Sequence, residues 1–250
     1  VQTAEALGYD YLFAGDHVIG GDPATWDGRA GPYTVDNIYH EPMTLLAYLA
    51  AITSRIKLFT GVIILPQRQA TLVAKQAAEI DYLSGGRLML GVGVGWNERE
   101  YRALNVDFHT RGARMEEQFE VMRALWTQDE AAYDGEFVSF GASWAWPKPV
   151  QAHIPLLVGA GAGPKTFAWI AANADGWMTT PIETDIADKA AALHEAWQAA
   201  GRAGAPEIAV LVALRPSPDD LAAWGAAGAT EVVWGLPDQS AGEVAGFSAR

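Results

Sequence analysis

The stretch TLVAKQAAEIDYLSGGRLMLGVG, residues 71–93, contains a helix pattern, a turn pattern and a strand pattern in direct succession. Apolar residues recur at helical spacing through residues 71–83: Val73, Ala77 and Ile80. Ser84-Gly85-Gly86 predicts a turn, and the run from 87 to 93 predicts a strand that is buried on both faces. A helix that passes through a short turn into a buried strand is typical of parallel α/β folds.

The same alternation continues in both directions along the chain. Six further strands are predicted, at residues 11–14, 57–65, 154–158, 176–179, 208–214 and 231–234. Other helices are predicted at residues 1–7, 41–52, 112–126, 164–174, 186–197 and 217–227. Seven apolar strands alternating with helices favour a (β/α)₈ barrel with one strand missing, and an open doubly wound sheet is the competing fold. The absence of a linker or repeat predicts one domain over residues 1–250.

Composition excludes several classes of function. The chain has 250 residues, a net charge of −13 and no cysteine. Excess negative charge argues against general nucleic-acid binding, and the lack of cysteine excludes disulfides, thiolate nucleophiles and Cys-based metal sites. No apolar run is long enough to span a membrane, and the first residues lack the pattern of a secretory leader. We therefore expect a cytoplasmic enzyme that binds neither nucleic acid nor membrane.

In either fold, ligands bind at the carboxyl ends of the strands. The first strand ends in Gly15-Asp16-His17. A carboxylate beside an imidazole can orient a proton or bind a polar ring edge. Equally, Asp16 can simply cap the loop and His17 can be a hydrogen-bonded loop residue. The neighbouring acidic residues show no metal-ligand spacing, so no metal site is predicted.

Glycine-rich segments follow three other strands. Gly61-Val62 indicates a bulge or a close approach to the backbone, and a kink for packing explains it equally well. Gly93 and Gly95 leave a bare strand face, for a flat ligand or for tight packing. The segment Gly159-Ala160-Gly161-Ala162-Gly163 precedes a helix, as in a phosphate cradle or as in an ordinary strand–helix turn. Neither a Walker A loop nor a nucleophile elbow is present.

Other side chains are assigned weaker roles. His109 and His153 are predicted to be surface residues, and Glu116, Glu117 and Glu120 to form the solvated face of a helix. The long segments 20–39 and 128–151 are predicted to shape the pocket. Their aromatic residues would form an apolar wall: Trp26, Tyr33, Tyr39, Trp144 and Trp146. The two tryptophans of the second segment are equally explained as anchors of that loop.

Taken together, the ordered segments resemble the luciferase-like monooxygenase family, and within it the branch that depends on the deazaflavin coenzyme F-420. The residues that carry the resemblance are 7–10, 15–17, 50–58, 74–87, 90–96, 111–114, 124–126, 147–151 and 174–177. The resemblance implies a (β/α)₈ barrel whose first strand is absent or truncated here, so that the barrel cannot close fully. It also implies a homodimer with the cofactor at the carboxyl-terminal mouth of the barrel.

Individual roles follow from the same resemblance. His17 would contact the ring or the substrate and act in proton transfer, with Asp16 as its acidic neighbour near the ring. Gly61-Val62 matches a step where relatives carry a non-proline cis peptide under the ring. Gly93 and Gly95 would lie beside the cofactor, and residues 159–163 would hold its phosphate. Val94 stands where sugar-phosphate dehydrogenases of the family carry a glutamate, which argues against that substrate class.

The resemblance predicts hydride transfer between coenzyme F-420 and a small organic substrate. One alternative is a two-component monooxygenase that uses FMN and O₂ and requires a flavin or deazaflavin reductase as partner. The other is a protein that binds the cofactor without catalysis.

Overall fold

The computed structural model describes residues 1–20, 37–179, 185–212 and 215–235. Its strands are β1 Tyr11–Ala14, β2 Lys57–Ile64, β3 Leu88–Gly93, β4 Ala131–Asp134, β5 Ser139–Ser143, β6 Leu156–Gly159, β7 Gly176–Met178, β8 Glu207–Val212 and β9 Glu231–Trp234. Its helices are α1 Gln2–Ala6, α2 Pro42–Ile52, α3 Ala70–Ser84, α4 Glu98–Ala103, α5 Arg111–Thr127, α6 Pro164–Asn173, α7 Ile186–Ala199 and α8 Pro218–Ala226. Among these described helices, none is long and apolar enough to cross a membrane.

Seven strands form one parallel sheet in the order β1-β2-β3-β6-β7-β8-β9. All seven predicted strands are confirmed, although residues 213–214 of one prediction lie outside the described ranges. The strand order never reverses, whereas a doubly wound sheet reverses at its switch point. The edge strands β1 and β9 approach each other, since the Tyr11 hydroxyl donates to Glu231 at 2.6 Å. The sheet is therefore nearly closed into a barrel, and the open-sheet alternative is wrong.

Apolar side chains fill both faces of this sheet. A small cluster packs inside the barrel: Phe59, Met89, Leu157, Met178 and Ala209. A larger cluster lies between the sheet and the surrounding helices and includes Leu58, Leu90 and Trp177. Burial on both faces explains why these strands are continuously apolar in sequence.

Hydrogen bonds at the amino-terminal ends of the strands hold the barrel together. The Arg87 guanidinium donates to the carbonyl oxygens of Ala50, Thr53 and Ile56 at 2.8–3.0 Å. Gly85 ends α3 in the left-handed region, at φ 70°, which a side chain would disfavour. The turn at residues 84–86 thus lets Arg87 link β3 to the end of α2.

Two buried or half-buried carboxylates form similar links. Asp81 accepts the backbone N–H of Val150 at 2.8 Å, and accepts both the backbone N–H and the side-chain amide of Gln151 at 3.0 and 2.6 Å. Asp175 accepts the backbone N–H of Leu156 at 2.9 Å and His153 Nε2 at 2.6 Å. His153 is half exposed, as a surface residue should be, but it also ties β6 to the start of β7.

The segment 128–151 contains a hairpin that the sequence did not predict. Strands β4 and β5 pair antiparallel. The Glu117 carboxylate accepts the backbone N–H groups of Glu136 and Phe137, each at 2.9 Å, and of Val138. Glu120 accepts the hydroxyl of Tyr133 at 2.6 Å. The prediction of a solvated helix face is therefore wrong for the half-buried Glu117, whose carboxylate holds the hairpin, and it is confirmed for the exposed Glu116 and Glu120.

Candidate functional site

A cavity of about 330 Å³ opens at the carboxyl-terminal mouth of the barrel. The carboxyl-terminal half of β2 and the segments that follow β1, β3 and β6 line it, as the parallel sheet requires. Most of the predicted site residues meet there: Asp16, His17, Gly61, Val62, Gly93, Gly95, Gly159, Ala160 and Gly161. Ala162 and Gly163 are not part of this lining, and Gly163 is the N-cap of α6 instead.

His17 contacts a carboxylate from a distant part of the chain. Its Nδ1 lies 3.1 and 3.3 Å from the two carboxylate oxygens of Glu100, in α4. The same carboxylate accepts the backbone N–H of Val18 at 2.9 Å and of Ile19 at 3.3 Å. Glu100 therefore joins α4 to both the side chain and the backbone of the loop after β1.

The charge state of Glu100 decides which atom carries the proton. Burial alone would raise the pKa of the Glu100 carboxyl, but the hydrogen bond and charge of His17, with the Val18 and Ile19 N–H groups, together hold this pKa below its ordinary value. An ionised carboxylate only accepts hydrogen bonds. The shared proton therefore belongs on Nδ1, and whenever the imidazole is neutral its lone pair is on Nε2.

Aromatic rings flank the imidazole. The ring of Tyr39 meets that of His17 edge to face, with centroids 4.9 Å apart, and Trp96 lies at 6.1 Å. Both also line the cavity, as predicted for Tyr39. Trp144 and Trp146 do not belong to this wall, and they are 74% and 56% exposed. The loop-anchor interpretation is wrong for Trp144, whereas the Lys148 ammonium lies 5.2 Å from the centre of the Trp146 ring. Trp26 and Tyr33 lie outside the described residues.

Asp16 pairs with Arg68 and not with its sequence neighbour His17. Its carboxylate accepts Arg68 Nη2 at 2.8 Å, Arg68 Nε at 3.2 Å and the Ile64 backbone N–H at 2.9 Å. Arg68 also donates to Glu41, the N-cap of α2, at 2.8 Å. Burial would lower the pKa of the Arg68 guanidinium, but the two carboxylates outweigh it and raise this pKa. Asp16 thus joins the ends of β1 and β2 rather than orienting His17.

The Gly61–Val62 peptide bond is cis, as the resemblance implied, and the sheet register shifts between Thr60 and Ile63. The bulge interpretation is therefore confirmed. A Cβ at residue 93 would lie 2.8 Å from Val62 Cγ2, and one at residue 159 would lie 2.5 Å from Val62 Cγ1. These two glycines make room for Val62 between β3 and β6, which is the tight packing that the sequence allowed for Gly93.

The amino terminus of α6 follows the loop that leaves the cavity after β6. Within the described part of the chain, no side chain caps this helix. The free N–H groups of a first helical turn, together with the helix dipole, favour a phosphate. Gly159, Ala160 and Gly161 lead from the cavity to that turn, and the Ala160 carbonyl accepts Trp177 Nε1 at 2.8 Å. Across the described residues, no cluster of three or more His, Asp or Glu side chains is arranged to hold a metal ion.

Sequence reasoning missed Glu100 and Arg68. Glu100 follows Asn97 at the three-residue spacing of a capping box, which suggests a purely local role. Asn97 does cap α4, by accepting the Arg99 N–H at 3.2 Å, but the Glu100 side chain turns to His17 instead. The acidic residue at that spacing was the only signal in the sequence, and its partner is 83 residues away.

Comparison with known proteins gives the family. A family model described as luciferase-like monooxygenase matches residues 1–250. An uncharacterised protein of Mycobacterium tuberculosis strain H37Rv is 49% identical over 210 residues, which are 84% of this chain and 74% of that protein. Pyrimidine monooxygenase RutA of Allorhizobium ampelinum is 34% identical over 182 residues, 70% of this chain and 46% of RutA. This chain therefore spans about half the length of RutA.

Solved structures share the fold. The monooxygenase RslO1 from Streptomyces bottropensis has a TM-score of 0.72 at 24% identity, over 98% of this chain and 69% of its own. An F420-dependent secondary alcohol dehydrogenase, solved with an F420-acetone adduct, has a TM-score of 0.69 at 21% identity, over 84% and 62%. The family match over the full chain, the close mycobacterial relative and the nearly closed barrel lead to one conclusion: this chain belongs to the luciferase-like monooxygenase family.

Proposed function

We propose that this protein is an oxidoreductase that transfers hydride between coenzyme F-420 and a small organic substrate at the mouth of the barrel. The observation that carries the proposal is the His17–Glu100 pair at the wall of the cavity, 3.1 Å apart. It provides a proton acceptor directly beside the space where a substrate would bind. The F420 dependence of the structurally similar alcohol dehydrogenase supports the choice of cofactor.

The residues present fit a phosphate-bearing cofactor with a planar ring. The cavity of about 330 Å³ is of the size of small-molecule sites. Val62 offers an apolar surface between the ends of β3 and β6, and the uncapped amino terminus of α6 suits a phosphate. Gly61, Val62, Gly93 and Gly95 would therefore face the ring, and residues 159–163 would hold the phosphate.

When bound, a deazaflavin supplies or accepts a hydride, and the protein supplies the rest. His17 would exchange a proton with the substrate at Nε2, while Glu100 stabilises the charge that the imidazole gains. Tyr39 and Trp96 would exclude water and orient an apolar substrate. Asp16 would act indirectly, by holding the ends of β1 and β2 together through Ile64 and Arg68.

The second candidate is an FMN-dependent monooxygenase that reacts with O₂ and receives reduced flavin from a separate reductase. The 34% identity to pyrimidine monooxygenase RutA favours it. The same cavity and the same anion site suit FMN, since both cofactors carry a phosphate and a planar ring. Under either candidate we propose a homodimer as the working unit.

Reconstitution with each cofactor separates the two candidates. The protein is titrated with F-420 and, separately, with FMN, and binding is followed by the absorbance and fluorescence of the chromophore. The proposal expects F-420 to bind at least about tenfold more tightly than FMN, a difference of about 1.4 kcal/mol. It also expects reduction of bound F-420 by an alcohol from a panel of small substrates. Tight FMN binding without F-420 binding would overturn it.

A pair of variants matched in shape but different in charge tests the anion site. Ala160→Asp places a negative charge on the loop before α6 and should weaken binding of the phosphate-bearing cofactor by more than about tenfold. Ala160→Asn has nearly the same shape without the charge and should stay within about threefold of the parent, since a neutral amide does not repel phosphate. Equal losses in both variants would point to a steric effect and remove the anion site from the proposal.

A further inference from the structure

We infer that Glu100 is a positioning residue, which holds the neutral His17 ring with its proton on Nδ1 so that Nε2 is the atom that takes the substrate proton. The inference rests on the proposed function for its kinetic consequence alone. Its structural part is carried by the contacts of one buried carboxylate, and it can be tested without any cofactor.

The geometry of the Glu100 carboxylate restricts the orientation of the His17 ring. Glu100 is 1% exposed, and the donors that meet it come from consecutive residues: Nδ1 of His17 and the backbone N–H groups of Val18 and Ile19. These contacts hold both the His17 ring and the backbone of the two residues that follow it in the chain. The ring therefore has little freedom to flip and present Nδ1 to the cavity.

The chemistry of Glu100 as a hydrogen-bond acceptor determines the tautomer of His17. Two backbone N–H groups could be held by any buried oxygen, including that of an amide side chain. A carboxylate differs because both oxygens accept and neither donates. Only a group of that kind forces the hydrogen of the neutral imidazole onto the nitrogen that it contacts. A glutamine at this position could hold the backbone equally well and would allow either tautomer.

The proton balance of the proposed reaction involves Nε2 of His17. In the oxidation of an alcohol, the C–H hydrogen would leave as hydride to a bound deazaflavin, and the O–H proton would pass to Nε2 of His17. The C–O single bond becomes C=O, and the imidazole becomes an imidazolium beside the Glu100 carboxylate. In the reverse direction the same Nε2 returns the proton to the carbonyl oxygen. Oxidation of the alcohol requires an imidazole whose Nε2 carries no hydrogen at the start. Reduction of the carbonyl leaves Nε2 without a hydrogen at the end.

The structural test is nitrogen NMR of the cofactor-free protein labelled with ¹⁵N-histidine. The chain has five histidines, and a His17→Gln variant identifies the signals of His17. In the alkaline plateau of a pH series, the inference expects the Nδ1–H tautomer in the wild type and a mixture or the Nε2–H tautomer in Glu100→Gln. An Nε2–H tautomer in the wild type would overturn the inference, even if the variant did not fold.

The kinetic test uses whichever cofactor supports turnover in the wild type. Glu100→Gln is expected to lower kcat by about 10–100-fold, part of the roughly 10²–10⁴-fold that a general base contributes. KM should change by less than about threefold, since the substrate-facing groups stay in place. Glu98→Gln is the matched control, because Glu98 lies on the same helix but is exposed and pairs with Arg102 at 3.7 Å.

The double variant distinguishes positioning from a general structural effect. If Glu100 acts through His17, then His17→Ala/Glu100→Gln is no slower than His17→Ala alone. If the two losses multiply, or if Glu100→Gln leaves kcat intact, the inference is wrong. Catalysis with FMN but not with F-420 would overturn the proposed function. The NMR test and the kinetic test of Glu100 would both remain valid in that case.

Discussion

Val62 occupies the space that a side chain on residue 159 would need: its Cγ1 lies 2.5 Å from the position of a Cβ there. Real Cβ atoms do not approach another carbon so closely, and the barrel core has little room to yield. On the other side of Val62, a Cβ on residue 93 would lie 2.8 Å from Cγ2. The ends of β2, β3 and β6 are therefore packed as a unit beneath the cavity.

Gly159→Ala should destabilise the protein by about 1–3 kcal/mol, because the added methyl group overpacks the strand ends. Val62→Ala removes both methyl groups that cause the clash. The double variant Val62→Ala/Gly159→Ala should therefore recover most of that loss relative to Val62→Ala alone. Urea unfolding of the four proteins measures this coupling, and simple additivity of the two changes would contradict the packing described.

Asp81→Asn should lower the free energy of unfolding by about 1–3 kcal/mol, since an amide cannot accept all three hydrogen bonds from Val150 and Gln151. The NH₂ group that replaces one carboxylate oxygen would face an N–H donor of Val150 or Gln151 and could not accept its hydrogen bond. Glu79→Gln on the same helix is the control: the Glu79 side chain is 43% exposed, its pair with Lys75 spans 3.7 Å, and a change within about 0.5 kcal/mol is expected. Similar losses in both variants would contradict the role of Asp81.

Glu5 should make stability depend on pH in acid. Hydrogen bonds from the backbone N–H groups of Ile56, Arg55 and Ser54 lower the pKa of the Glu5 carboxyl from 4.5 to about 2. A lowered pKa in the folded state adds stability above the unfolded value, and this stability is lost as the pH falls from 4.5 toward 2. Glu5→Gln should therefore have a lower melting temperature than the wild type at pH 7, and the difference should shrink below pH 4.5. A gap that does not vary with pH would count against this linkage.

Glu117→Ala should loosen the hairpin while leaving the barrel intact. The change removes the acceptor for the backbone N–H groups at residues 136–138. Amide hydrogen exchange over residues 131–143 should accelerate by about tenfold or more, equivalent to about 1.4 kcal/mol of local stability. Glu116→Ala, one residue earlier on an exposed position, should leave the exchange unchanged. Equal exchange in both variants would contradict the hairpin anchor.

Much of the fold was predictable because burial on both sheet faces leaves a local signature in the sequence. β3 is apolar throughout, β8 is apolar after Glu207, and Gly85 marks the end of α3. The hairpin at 131–143 was not predicted, since its two short strands are largely exposed and carry no regular apolar alternation. Its stability depends on Glu117 in a preceding helix, which no local pattern reveals.

The site was predictable in position but not in its contacts. Strand ends had to meet at one mouth, so His17, Val62 and Gly159 could be brought together from the sequence. Which carboxylate pairs with His17 could not, because Asp16 is adjacent in sequence and Glu100 is adjacent only after β1 and β3 have assembled around β2. Glycine alternation had two explanations, and only the position of Val62 distinguishes them.

The hydrogen bonds of Asp81, Arg87 and Asp175 lie at the amino-terminal ends of the strands, and the cavity lies at the opposite ends. This separation makes the mouth a region for directed evolution. Randomising Tyr39, Val94 and Trp96 in a combinatorial library would reshape the substrate pocket while leaving those links untouched. A new substrate range could then be selected without first screening the library for folded members.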